Sequence, residues 1–125
     1  MSSRPFVPAA DYGTFRSWCR LRGLDAPAFD ELPRVGIVAE DAAIGFLVQT
    51  DGRNCYIESL ISNPNEPKSR RERATHEAVA GLLIVAKSLG YKAAICLTEL
   101  DVVQKLAASF GAKHRPHMAV IEGVL

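Results

Sequence analysis

The sequence has no apolar run long enough to span a bilayer, and its amino terminus, Met1-Ser2-Ser3-Arg4-Pro5, has no hydrophobic signal core. Both absences point to a soluble chain with no membrane partner, expected in the cytoplasm. An excess of charge of one sign is also missing: 15 basic residues face 14 acidic ones, for a net charge of +1. That balance argues against a general nucleic-acid binder, which needs a broad basic surface. Cysteine is scarce and scattered. Cys19, Cys55 and Cys96 have no metal-ligand spacing, and each sits in an apolar or amphipathic run. Buried thiols in a reducing compartment are expected, and no metal site. No repeat, low-complexity tract or linker breaks the 125 residues, so residues 1–125 are read as one domain.

What is present is apolar content of 48%, laid out in periodic segments that can build a core. Arg4 to Pro8 reads as a short edge strand. Asp11 reads as the N-cap of a helix through Arg22, with Phe15, Trp18 and Cys19 at helical spacing and Gly23 at its C-cap. Arg34–Glu40, Ile44–Thr50 and Asn54–Ile61 read as an antiparallel meander, with Asp51-Gly52 as a hairpin signal. A helix starting near Ser69 or Arg70 runs to Leu89-Gly90, with Ala74, Ala78, Val79, Leu82, Leu83 and Ala86 on one face. Tyr91–Thr98 is an uninterrupted apolar strand, Leu100–Phe110 a further helix, and His117–Val124 a last strand. A helix between Ile61 and Tyr91 allows a right-handed crossover, so the sheet is expected to be mixed. The apolar strand ending Val124-Leu125 is expected to leave an edge that a second copy covers, which favours a homodimer.

The stretch Ser62 to Gly90 is the most informative. A loop with two prolines, Pro64 and Pro67, leads from a strand into Arg70-Arg71-Glu72-Arg73 at a helix start. The first turn of a helix carries free N–H groups and partial positive charge, so strand, loop and cationic helix start make an anion site. Charge runs are usually solvated faces. Arginines at a helix start also oppose the dipole, and that unfavourable placement favours a bound anion.

The element order, with its loop and long central helix, resembles the GNAT superfamily of N-acyltransferases over nearly the whole chain. Gly36-Ile37-Val38-Ala39-Glu40 with Ile44-Gly45-Phe46-Leu47 resembles that family's central hairpin, and Ala86-Lys87-Ser88-Leu89-Gly90-Tyr91 the end of its cofactor helix. Val103 to Ala112 resembles its next helix and turn, and the runs around Trp18-Cys19-Arg20, Leu32-Pro33-Arg34 and Glu58-Ser59-Leu60 resemble short GNAT-like proteins encoded in phage genomes. The resemblance implies an α/β (α+β) fold with a mixed, mostly antiparallel twisted sheet flanked by helices. It implies an acyl-CoA-dependent N-acetyltransferase that moves an acetyl group from acetyl-CoA to a primary amine, on a small molecule or a protein.

By the same resemblance, the backbone of Leu60, Ile61 and Ser62 pairs with the pantetheine arm, and Arg70, Arg71, Arg73, Ala74 and Thr75 hold the pyrophosphate. Arg73 and Thr75 stand where the family's phosphate motif has glycines, which let the backbone approach closely. Glu58, a carboxylate inside an apolar strand and alternating with Tyr56 and Leu60 on one face, is the candidate base; otherwise it is a solvated outer-face residue. Ala107 stands at the family's tyrosine acid, so solvent, Ser109 or a histidine replaces it, or the chain is not catalytic. His117 is the candidate acceptor-side residue, and otherwise it and His114 are surface histidines; His76 is expected to be solvated. The alternative function is a GNAT fold without catalysis, kept as a binding or virion-associated module.

Overall fold

The computed structural model describes residues 3–97, 108–115 and 118–122. Seven strands form one sheet in the order β1-β2-β3-β4-β5-β7-β6. They are β1 (Ser3–Pro5), β2 (Val35–Ala39), β3 (Ala43–Val48), β4 (Asn54–Ser62), β5 (Ala93–Leu97), β6 (Ala112–Arg115) and β7 (Met118–Glu122). Helix α1 (Pro8–Leu21) follows β1, and α2 (Lys68–Ser88) links β4 to β5. Every strand pair is antiparallel except β4 with β5, as a helical crossover requires. The mixed, mostly antiparallel sheet read from the sequence is the one observed.

Each helix covers one face. On the α2 face, Ile37, Leu47, Cys55 and Ile57 pack against Ala74, Ala78, Leu82 and Ala86. Alanines on both sides let the helix lie close to the sheet. On the α1 face, Phe6, Phe15 and Phe46 meet edge to face, with ring centroids 4.9 to 6.2 Å apart, and Trp18, Val38 and Ile61 close round them. Phe15 and Phe46 are fully buried, each stabilising the fold by about 1.5–3 kcal/mol through burial.

The start of α1 departs from the sequence reading. Pro8, not Asp11, opens the helix; its fixed φ and missing N–H suit the first helical position. Asp11 lies within the first turn and reaches back to accept the Val7 amide at 2.8 Å. It also takes a two-pronged ion pair from Arg4, at 2.7 and 2.8 Å. The Arg4 guanidinium, helped by the Val7 amide against the cost of burial, holds the Asp11 carboxyl below the usual carboxylate range.

The carboxyl-terminal region also differs. Residues 112–115 form a strand, β6, that was not read from the sequence. It takes the outer position, so β7 lies between β5 and β6. The outer side of β7 from Met118 to Ile121 is therefore covered within the chain, while the Val124-Leu125 edge read as favouring a homodimer lies outside the described residues. The helix expected at Leu100–Phe110 lies mostly outside the described residues.

All three cysteines are buried, and burial pushes their thiols up, away from thiolate chemistry. Among the described residues, no acidic, histidine and cysteine cluster could hold a metal, and no helix is long and apolar enough to cross a membrane.

Two substitutions test this packing. A Cβ on Gly36 would lie 2.8 Å from the Phe46 ring and from Phe6 Cβ, while the Phe6 amide ties the two strands through the Gly36 carbonyl. Gly36→Ala is expected to cost about 1–3 kcal/mol in urea unfolding. For Asp11, the folded carboxyl is depressed, so its contribution is complete above the unfolded value of about 3.9 and is lost as pH falls through the lower folded value. Asp11→Asn is expected to cost about 1–2 kcal/mol at neutral pH and to flatten the loss of stability below about pH 4.

Candidate functional site

The site is built on an irregularity in β4. Opposite β3, Ile44 pairs with Ile61 but Phe46 pairs with Glu58, so two residues, Ser59 and Leu60, face the single residue Gly45. That is a bulge, and Ser59 takes the left-handed φ of 53° that it requires. The extra residue swaps the faces. Before it, Cys55 and Ile57 point into the α2 core; after it, Leu60 does so, and Ile61 points into the α1 core. Gly45 makes room: a Cβ there would meet Leu60 and Leu82 methyls at 3.0 and 3.1 Å. The regular alternation expected of Glu58, Leu60 and Ile61 is therefore corrected. Glu58 stays on the α1 face, opposite Phe46, and it is exposed rather than held in an apolar wall.

Strand β4 pairs with β5 only from Asn54 to Ile57. Past Ile57 the β5 side of β4 has no strand partner among the described residues. The Asn63 amide donates to the Ala42 carbonyl at 2.8 Å, which makes Ala43 and Ser62 a non-hydrogen-bonded pair. The N–H and C=O of Ser62 thus point away from β3, and those of Leu60, one pleat earlier, point the same way. Ile61 turns its own peptide groups toward β3. Of the three residues expected to pair with an extended ligand, Leu60 and Ser62 offer the open edge.

The loop after β4 folds on itself. Asn63 Oδ1 accepts the Asn65 amide at 3.0 Å, and the Asn63 carbonyl accepts that of Glu66 at 3.2 Å. Helix α2 then starts at Lys68, one or two residues earlier than read from the sequence, because the φ of −58° at the N-cap Pro67 already suits the helix entrance. The Arg71 amide donates to the Pro67 carbonyl at 3.0 Å. The free amides of the first turn are those of Lys68, Ser69 and Arg70, and no side chain caps them. The expected cradle of amides at Arg71 to Thr75 is corrected by one turn: those amides belong to the helical ladder. Ala74 is fully buried in the core, and the Thr75 hydroxyl donates to the Arg71 carbonyl at 2.7 Å.

The arginines divide into two sets. Arg70 donates to the Glu40 carbonyl at 2.8 Å and pairs with Glu66 at 3.4 Å, and Arg73 pairs with the Glu40 carboxylate at 3.0 Å. Glu40 and Asp41 form the β2–β3 turn with left-handed φ of 50° each, an uncommon conformation outside glycine that the arginines help hold. Arg71 contacts only the Glu66 carbonyl, at 3.1 Å, and it carries no ion pair among the described residues. Arg22, at the C-cap of α1 and not singled out from the sequence, donates to the Ser62 carbonyl at 3.1 Å and to its hydroxyl at 2.8 Å. His117 and Ala107 lie outside the described residues. His76 is exposed and stacks on Phe110, centroids 4.4 Å apart.

No family model matches the chain, and no curated protein does. Solved structures do match. The chain is similar to Rv2747 from Mycobacterium tuberculosis, solved with CoA, at a TM-score of 0.72 and 17% identity over 92% of this chain and 73% of that one. It is similar to YhbS, a GNAT family N-acetyltransferase from Escherichia coli in complex with CoA, at 0.66 and 15% over 97% and 80% of the two chains. It is also similar to aminoglycoside 6'-acetyltransferase type Ii, at 0.71 and 15% over 90% and 83%. The fold is the GNAT fold that the resemblance implied. The likeness carries nothing about a phage origin.

The bulge makes a direct prediction. Ser59→Gly removes the left-handed strain and is expected to stabilise by about 0.5–1 kcal/mol, whereas Ser59→Val is expected to destabilise by about 1–2 kcal/mol. Thermal unfolding of the two variants beside the parent chain measures the sign of each change.

Proposed function

We propose that the chain is an acyl-CoA-dependent N-acetyltransferase that acetylates a primary amine. The observation that carries this reading is the Ser59 bulge, past which the main chain of Leu60 and Ser62 faces away from β3 with no strand partner among the described residues, directly ahead of an uncapped helix start. An open strand edge can accept an extended amide-bearing arm, and three free amides with the Arg71 guanidinium can hold a diphosphate at its far end. That spacing of strand edge and anion cradle fits coenzyme A, whose pantetheine carries two amides and ends on a pyrophosphate. Two of the structures described above, which share the fold, were solved with CoA.

When bound, acetyl-CoA supplies an activated acyl thioester. The chain's residues do the rest. The Leu60 and Ser62 main chain orients the arm along β4. Glu58, exposed and on the α1 face beside the bulge, accepts the proton of the incoming ammonium, directly or through water. The α1 face is where an acceptor amine reaches the thioester, because α2 closes the other side. Arg70 and Arg73 brace the Glu40 turn, while their charge still adds to the positive potential of the helix start.

A second reading, a GNAT fold kept as a binding or virion-associated module, is favoured by one observation. Arg70 and Arg73 are already ion-paired within the chain, and Arg73 and Thr75 stand where close backbone approach is needed. Calorimetry with CoA separates the two. Saturable micromolar binding is expected, with acetyl transfer to amine acceptors seen by release of free CoA thiol. Glu58→Gln is expected to lower kcat about 10²-fold while leaving CoA affinity unchanged. An absence of binding at millimolar CoA leaves the module reading standing.

A further inference from the structure

We propose that Arg22 is a ligand of the cofactor's diphosphate, reaching from α1 to act with Arg71 at the carboxyl end of β4. The proposal rests on the acyl-CoA reading and adds to it a residue from α1. Arg22 is exposed, yet its guanidinium is held in place by two donated bonds to Ser62, the last residue of β4. The Ser62 carbonyl points to the open edge, so Arg22 stands over the track that an extended ligand follows. Those bonds use Nε and one Nη2 hydrogen, which leaves three of the five guanidinium N–H donors free. No carboxylate neutralises Arg22 among the described residues, and the same holds for Arg71.

The contrast with Arg70 and Arg73 decides the assignment. Their charge is met by Glu66 and Glu40, so an anion has to compete with carboxylates already in place. Arg22 and Arg71 are met only by neutral oxygens: Ser62 for one, the Glu66 carbonyl for the other. Both anchors lie at the carboxyl end of β4, one on its last residue and one in the loop that leads to α2. A doubly charged diphosphate lying between them, over the Lys68 to Arg70 amides, receives one cation from α1 and one from α2. The two arginines thereby compensate for the backbone approach that Arg73 and Thr75 restrict. Guanidinium suits this role because its fork matches phosphate oxygens two at a time.

The test is calorimetry of the full chain with CoA and, separately, with pantetheine, which lacks the diphosphate. Arg22→Gln and Arg71→Gln are each expected to weaken CoA binding about tenfold, with pantetheine affinity unchanged and thermal midpoints kept. Ser62→Ala, which loosens the anchor but keeps the charge, is expected to weaken CoA by a smaller factor. Arg16→Gln, on the outer face of α1, removes the same charge and is expected to change nothing. If the parent chain binds CoA and Arg22→Gln binds it equally well, the Arg22 assignment is overturned while the acyl-CoA reading stands. Equal losses for CoA and pantetheine overturn it as well, because Arg22 would then act on the arm. If the parent chain binds no CoA, both readings fall together.

Discussion

Between Glu58 and Leu60 the main chain of β4 steps out of its pleat, and much of the molecule is arranged around that step. The bulge sets two residues against Gly45 and exchanges the faces of the strand just past its described pairing with β5. The left-handed Ser59 is a local strain placed just ahead of Leu60 to Ser62, a stretch whose β5 side has no strand partner among the described residues. Leu60 anchors the step by packing against Leu82 over the bare Gly45 backbone, so α2 stabilises the distortion.

A second constraint is electrostatic. Four basic residues in the first six of α2 would repel one another and the helix dipole if left alone. The chain meets this in two ways. Glu40, Glu66 and Glu72 each take one of the cations, and Glu40 does so from a hairpin turn on the other side of the core contact. The same turn reaches Arg4 through Asp41, and Arg4 pairs with Asp11 in α1. The β2–β3 turn is thus tied to both helices, which fixes the amino end of α2 relative to the sheet. Surface pairs of this kind contribute little stability singly. Their effect here is positional. They hold the helix start beside the end of β4, and they leave Arg71 and Arg22 there without an ion pair among the described residues.

The sheet's two faces have different tasks. The α2 face is packed with alanine and aliphatic residues, which brings the helix close and leaves little room for a reactant. The α1 face carries the aromatic cluster, and the exposed Glu58 lies beside it, across from Phe46. In the proposed acyl transfer, a ligand lying along β4 past Ser59 would run from the α2 start toward that carboxylate. The buried, protonated cysteines take no part in such chemistry.

The sequence by itself determined the order of elements up to β5, the helical crossover that makes β4 and β5 parallel, the faces of both helices and the basic character of the α2 start. These follow from local periodicity, proline and glycine placement and charge, all properties of neighbouring residues. Only the tertiary structure decided the bulge, the switch of Leu60 and Ile61 between faces, and the exposure of Glu58. The adjacent apolar pair Leu60-Ile61 gave little warning, since Cys55-Tyr56-Ile57 is a similar run in a regular stretch; Gly45 inside a strand was the available signal. Tertiary structure also decided which arginines keep their charge free, because Glu40 lies 30 residues from Arg70 along the chain. The same is true of Arg22, which lies 40 residues from Ser62 and meets it only because α1 packs across the end of β4. Register, pairing across the sheet and long-range ion pairs depend on which segments become neighbours, and no window of local sequence carries that information.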